Sequence, residues 1–268
     1  GLGTLLNTSG RYRVTVIGAA VDEVAPEAWE QRVRDALAEA KTRQAKIDDV
    51  VARTRYVQLD VTDPAAIGSL VSGLPEDAVL YFALPPAVTM KTCEALVGTR
   101  LPRGLRLALE KPFGTSRDTA HAFNALLLKL VPERQIFRID HFLGKATVLN
   151  LLGLRFTNRI LEPVWNANHV ESVQIVVDEA LTLEGRAGYY DRNGALKDMI
   201  QSHLLLVLAL FAMEGVASID EREVRDLIAH TLRVTNLWTG DPVTSSRRAR
   251  YEAGHIAGEP VPSYVDEP

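Results

Sequence analysis

The chain has 268 residues, with 30 Lys and Arg against 34 Asp and Glu for a formal net charge of −4. A hydrophobic fraction of 47% with 24% charged residues excludes a disordered chain, a collagen-like repeat and a coiled coil. The mildly acidic balance argues against a nucleic-acid or anionic-membrane partner. Length suggests one or two domains, at roughly 100–200 residues each.

The first half alternates short apolar runs with helical patterns. Arg13–Gly18 reads as a strand, Pro26–Ala45 as a helix with Pro and Glu in its first turn, and Tyr56–Asp60 as a second strand. Pro64–Val71 is a short helix. Ala78–Leu84 is a third strand, so continuously apolar that it reads as covered on both faces, and Pro85-Pro86 ends it. Ala87–Leu96 follows as helix, Leu105–Glu110 as strand, Ser116–Val131 as helix and Gln135–Asp140 as strand. Alternation at this spacing predicts a parallel sheet with helices on both faces.

The second half changes character. Ala146–Ile160 reads as helix, and Glu171–Glu179 alternates like a half-exposed strand. Gly194 opens a long helix through Glu214, followed by another at Asp220–Thr231. The tail from Trp238 carries no assignable pattern. The longest apolar run, Leu204–Met213, is about half the ~20 residues that span a bilayer, and no leader pattern is read at the start. The single cysteine, Cys93, suits a reducing compartment. The six histidines show no metal-ligand spacing, so no metal is expected.

Three groups of residues could carry chemistry. Glu110-Lys111-Pro112-Phe113-Gly114 closes a strand, where an open α/β sheet binds ligands; a surface lysine at a strand–loop junction is the plain alternative. Arg138-Ile139-Asp140-His141-Phe142-Leu143-Gly144-Lys145 closes the last strand with basic groups four residues apart, a pattern suited to phosphate. Strand alternation would point Asp140 and His141 to opposite faces. Lys197-Asp198-Met199-Ile200-Gln201-Ser202-His203 opens the long helix just before its apolar run, so His203 is expected to be partly buried. On an α-helix Asp198 and His203 stand roughly 140° apart, able to flank a ligand but poorly placed to pair. Glu179, Glu184 and Arg186 lie just upstream, as another pocket edge or merely a polar loop.

Taken in order, Glu110–Gly114, Arg138–Lys145, Asn158-Arg159-Ile160, Glu184–Tyr190 and Ala195–His203 resemble the glucose-6-phosphate dehydrogenase family. The resemblance runs from about Arg13 to Pro268. It implies a Rossmann-like α/β NADP-binding domain over residues 1–145, lacking its first βα unit. A substrate-binding α+β domain would follow over 146–268, with its antiparallel sheet only partly present. Both ends of the chain read as cut.

The implied activity is oxidation of glucose 6-phosphate at C1 to 6-phosphogluconolactone with hydride transfer to NADP, the first step of the oxidative pentose phosphate pathway. By resemblance, His203 is the general base and Asp140 orients it. His141 and Lys145 hold the phosphate, Glu179 and Asp198 the sugar hydroxyls, and Lys111 touches both substrate and cofactor. The cofactor runs along Leu84-Pro85. A cytoplasmic homodimer or homotetramer is implied, with no nucleic-acid or membrane partner. The sequence departs from the family at three places: Phe142 stands where the family writes Tyr, and Ser202 where it usually writes Asn. Gly18-Ala19-Ala20-Val21-Asp22-Glu23 lacks the arginine that the family commonly places near the 2′-phosphate. Two other readings remain open: a catalytically silent or regulatory paralogue, and another sugar oxidoreductase with a Glu-Lys-Pro turn.

Overall fold

The computed structural model describes residues 1–9, 11–114 and 116–267. It divides the chain into two compact units, Gly1–Ile139 and Asp140–Pro268.

The first unit opens with helix α1 (Leu2–Thr8), strand β1 (Ile17–Ala20), helices α2 (Pro26–Glu39) and α3 (Gln44–Val51), and strand β2 (Arg55–Gln58). β1 and β2 pair in parallel, Gly18 opposite Tyr56. The first strand therefore begins four residues later than the apolar pattern suggested. Leu6, Val33, Leu37, Ile47, Val50 and Val51 form its core, with Trp29 packed against it. A Cβ at Gly18 would lie 2.5 Å from the Trp29 ring, so only glycine fits that close approach. The single helix expected over Pro26–Ala45 is two helices. The side chain of Asn7 donates to the carbonyl of Lys41 at 2.8 Å and accepts from the Arg43 amide at 2.9 Å, pinning a turn that no local glycine or proline announces.

Helix α4 (Pro64–Ser72), strand β3 (Val79–Phe82), helix α5 (Pro86–Ala95), strand β4 (Arg106–Glu110), helix α6 (Arg117–Leu130) and strand β5 (Ile136–Ile139) complete this unit. Asp63 caps α4 through the Ala65 amide, and Ser116 and Thr119 form a reciprocal capping box at α6. The strands run parallel in the order β3-β4-β5. Leu107, Ala108 and Leu109 of the central strand are all buried, the sign of a strand covered on both faces. The edge strand β3 departs from expectation: Val79 and Tyr81 are exposed while Phe82 is buried, because alternate residues face opposite sides and only one side here is packed. Instead of one parallel sheet, two appear. In the doubly wound order 3-2-1-4-5-6 they correspond to 3-2 and 4-5-6, and no described strand joins them.

The second unit contains helix α7 (Ala146–Phe156), helix α8 (Ala187–Ala195), a π-helical segment (Leu196–Leu204), helix α9 (Leu205–Ala212), helix α10 (Glu221–Val234) and a hairpin of β6 (Gly254–Ile256) and β7 (Glu259–Val261). α7 stops four residues short of Ile160, where Thr157 and Asn158 fold their side chains back onto the carbonyls of Gly153 and Leu154. Asp220 caps α10 by accepting from the amides of Arg222 and Glu223. The hairpin turns through Ala257 and Gly258, both at positive φ, and is the antiparallel sheet present among the described residues. Glu171–Glu179, expected as a strand, has no regular secondary structure and makes no ladder; alternation reports half-exposure, whereas a strand also needs a partner edge.

Ala187–Ala212 is one helical stretch of 26 residues, apolar enough by length and composition to cross a bilayer. It is broken at Gly194 (φ 62°, ψ 172°), and Asp198 and His203 are buried within it. Its far end is clamped by Arg155 of α7, a buried guanidinium that donates to the carbonyls of Leu210 at 2.7 Å and Met213 at 2.5 Å. Trp165 adds a hydrogen bond to the Phe211 carbonyl at 2.9 Å and rests its ring on Phe211.

Candidate active site

β5 ends at Ile139, and Asp140 opens a turn rather than extending the strand. Its Oδ1 accepts from the amides of Phe142 (2.8 Å) and Leu143 (3.4 Å), a local turn typical of aspartate. The carboxylate is thereby aimed by its own backbone. Oδ2 meets Nδ1 of His203 at 2.7 Å, across 63 residues of sequence.

His203 is fully buried. The expectation that Asp140 and His141 face apart fails because the period-2 rule ends with the strand: the His141 ring stands edge-on to His203, centroids 4.5 Å apart. Phe142 lies almost parallel to the His203 imidazole, at 4.3 Å and 11°. Nζ of the exposed Lys145 sits 4.0 Å from the centre of that same phenyl ring.

The π-helical segment alters the angular reading of Asp198. Hydrogen bonding from i to i+5 returns residues five apart to one face, so Asp198 and His203, 140° apart on an α-helix, come round to the same side. Asp198 is buried, and its two carboxylate oxygens accept from the hydroxyls of Tyr189 (2.8 Å) and Tyr190 (3.2 Å). Burial first, and then the hydrogen bond given to Asp198, pushes the Tyr189 phenol up to about 12; Tyr190 moves the same way. Both phenols therefore stay protonated and donate at neutral pH. Glu179 is exposed on a segment without regular secondary structure, and its charge adds to the upward pressure on Tyr190. Ser202 folds its hydroxyl onto the Asp198 carbonyl at 2.6 Å. Arg138, part of the basic motif in the sequence, is paired with Glu133 at 2.7 Å.

Donor atoms of Asp140, His141 and His203 lie within 4.8 Å of one another, a carboxylate–imidazole set that sequence spacing gave no hint of. The 2.7 Å contact uses one donor atom of Asp140 and one of His203 as a hydrogen bond.

In the first unit, Leu84-Pro85 and Lys111 stand just past the carboxyl ends of neighbouring strands. The register Phe82 opposite Leu109 sets those ends level. Pro85 leads into α5, and the Thr89 hydroxyl folds back on the Leu84 carbonyl at 3.3 Å. Lys111 is half-buried and precedes a cis peptide bond to Pro112.

Residues 7–150 match the family described as glucose-6-phosphate dehydrogenase, NAD binding domain, and residues 152–268 match its C-terminal domain. The chain belongs to the glucose-6-phosphate dehydrogenase family. It is 42% identical over 265 residues to a glucose-6-phosphate 1-dehydrogenase of Gluconobacter oxydans, covering 94% of this chain and 54% of the relative. A Rhizobium meliloti glucose-6-phosphate 1-dehydrogenase is 37% identical over 267 residues, covering 94% and 53%. A solved glucose-6-phosphate dehydrogenase in complex with its substrate glucose 6-phosphate superposes with a TM-score of 0.82 at 29% identity, over 99% of this chain and 57% of that one. The Mycobacterium avium glucose-6-phosphate 1-dehydrogenase gives 0.77 at 32% identity, over 88% and 52%. The chain thus spans about half the length of the curated relatives it matches. Within this family's motifs the sequence reading singled out Asp140, His141, Lys145, Asp198 and His203. It passed over Tyr189 and Tyr190 as individual partners, although they stood in a quoted motif, and over Arg155, whose only sequence signal is a charge amid an apolar helix.

Proposed function

We propose that this chain carries the catalytic core of a glucose-6-phosphate 1-dehydrogenase that oxidises glucose 6-phosphate at C1 to 6-phosphogluconolactone with NADP. The observation that carries the reading is the hydrogen bond between Asp140 and the buried His203, with His141 edge-on to that imidazole and Lys145 against the neighbouring Phe142 ring. With Asp140 ionised, Nδ1 of His203 carries the proton it donates, and Nε2 is the basic nitrogen. In this reading Nε2 takes the C1 hydroxyl proton as C1 loses its hydride, and Asp140 stabilises the imidazolium that results. His141 and Lys145 hold the phosphate. Asp198, held by two tyrosine donors, and Glu179 accept from sugar hydroxyls.

The level carboxyl ends of β3 and β4 support a nicotinamide nucleotide along Leu84-Pro85 with Lys111 beside it, as ligands of open parallel sheets bind at such edges. When bound, that nucleotide supplies the hydride acceptor.

The test is absorbance of NADPH formed from glucose 6-phosphate by the wild-type protein and by His203→Asn. Loss of the base should lower kcat by roughly 10²–10⁴ while substrate Kd changes little. A variant within about threefold of wild type ends the assignment of the base. A wild-type protein that binds both ligands without turnover ends the dehydrogenase reading in favour of a silent paralogue.

A further inference from the structure

Helix α8 brings two hydroxyls to the buried Asp198, those of Tyr189 and Tyr190, and the tail of the chain grips that helix from outside. α8 follows a tight turn. The Arg186 amide donates to the Leu183 carbonyl at 3.0 Å, and Glu184 (φ 51°) and Gly185 (φ 76°) lie between them, both left-handed. That backbone is uncommon for a residue with a side chain and persists where its surroundings support it. Here the Glu184 amide donates to Oε1 of Glu267 at 2.7 Å. The Tyr251 hydroxyl donates to Oε2 of the same carboxylate and accepts from the Leu183 amide at 3.2 Å. Desolvation opposes the charge on Glu267, but donors from Tyr251, Thr182, Glu184 and Leu183 hold its carboxyl down to about 2, so it is ionised at neutral pH. A second grip lies on α8 itself, where the Tyr264 hydroxyl donates to Asp191 at 2.9 Å. The β6–β7 hairpin delivers both grips together: Tyr251 precedes it, Tyr264 and Glu267 follow it, and the Tyr264 amide closes the stem on the Tyr251 carbonyl at 3.1 Å.

We propose that Glu267 is a positioning residue for the sugar site, holding the turn before α8 and so the place from which Tyr189 and Tyr190 reach Asp198. The proposal rests on the reading of Asp198 as an acceptor for sugar hydroxyls. The path from the carboxylate to the phenols is short. The Arg186 carbonyl, at the end of the turn, accepts from the amides of both Tyr189 and Tyr190 at 3.0 Å, so the start of the helix moves with the turn. Hydrogen bonds weaken steeply as their geometry departs from the preferred one, and a small shift of α8 is therefore felt at Asp198. An aspartate that holds a remote hydroxyl binds ground state and transition state alike, so the cost falls on affinity and not on turnover.

The experiment measures the Kd of glucose 6-phosphate by calorimetry, with steady-state kinetics alongside. Glu267→Ala should raise Kd about tenfold, with kcat within about threefold of wild type. Glu267→Gln, which keeps an acceptor for the Glu184 amide, should bring Kd back to within about threefold of wild type. In a protein already carrying Tyr189→Phe and Tyr190→Phe, adding Glu267→Ala should raise Kd by less than about twofold, because the changes act along one path. A wild-type Kd in Glu267→Ala, a loss that Glu267→Gln fails to recover, or the full tenfold increase on the phenylalanine background overturns the positioning role. Should Glu267→Ala fail to fold, Tyr251→Phe decides in its place: about a threefold rise in Kd is expected, and an unchanged Kd overturns the proposal. If the wild-type protein binds no glucose 6-phosphate, the functional reading fails, and amide hydrogen exchange at Tyr189, Tyr190 and Asp191 decides: exchange no faster in Glu267→Ala than in wild type overturns the grip on α8.

Discussion

Replacing Asp140 by asparagine should cost more activity than replacing it by alanine, although asparagine is the closer mimic. The reason lies in the turn at residues 140–143. Oδ1 of Asp140 accepts from two backbone amides, those of Phe142 and Leu143, while Oδ2 faces Nδ1 of His203. An asparagine must keep its carbonyl oxygen on those two amides, since turning over would set its NH2 against two N–H donors. Its NH2 group then faces Nδ1, which can satisfy it only by giving up the proton and accepting. That tautomer carries its proton on Nε2 and cannot take another from substrate there. Alanine imposes no such choice.

Two contributions set the size of the effect. A carboxylate and an imidazolium with charge centres about 4 Å apart interact by about 4 kcal/mol at an effective dielectric constant near 20. Losing that support for the protonated base is worth about 10³ in kcat, and both variants lose it. Asparagine adds the mismatch of two opposed donors, about 1–3 kcal/mol, unless the tautomer inverts. The expected order is wild type, then Asp140→Ala at about 10³ below it, then Asp140→Asn at about 10⁴. Steady-state kcat at saturating substrate measures the order, and nitrogen chemical shifts of the His203 imidazole report the tautomer. An Asp140→Asn protein more active than Asp140→Ala, or with its Nδ1 proton retained, would refute the reasoning.

Three other outcomes follow from the same geometry. Arg155→Met should destabilise the protein by about 3–5 kcal/mol, because two charge-assisted bonds to the Leu210 and Met213 carbonyls vanish and leave a helix end unsatisfied; a urea-derived loss below about 1 kcal/mol would show that water replaces the clamp. Cys93 is buried and its thiol is pushed up to about 12, chiefly by burial. It should resist a thiol reagent at pH 8 in the folded protein and react fully once unfolded, and rapid native labelling contradicts the packing around it. Past β1, the exposed Asp22 and Glu23 offer no cation to a 2′-phosphate, and their turn is held by Tyr56 and Gln58 donating to the carbonyls of Asp22 and Val21. NADP should therefore be preferred over NAD by less than about 1,000-fold in kcat/KM, or ~4 kcal/mol; a larger ratio requires a cation from elsewhere, such as Arg32.

The sequence by itself determined the elements whose causes are local. β4 and its neighbours follow from apolar runs, α4 and α5 from prolines at their starts, and α6 and α10 from Ser116 and Asp220 at their caps, because propensity and capping act over a few residues. The five family motifs were legible for the same reason, as were the residue types that carry the proposed chemistry. Only the tertiary structure decided how those residues meet. The 63-residue reach from Asp140 to His203, the stack of Phe142 on that imidazole and the π-helical turn that brings Asp198 to its side depend on packing between distant segments. The turn between α2 and α3 is likewise imposed from Asn7, 34 and 36 residues away, and Glu171–Glu179 stays out of a ladder for want of an edge. Periodicity records which face of a segment is buried; it holds no record of which partner does the burying.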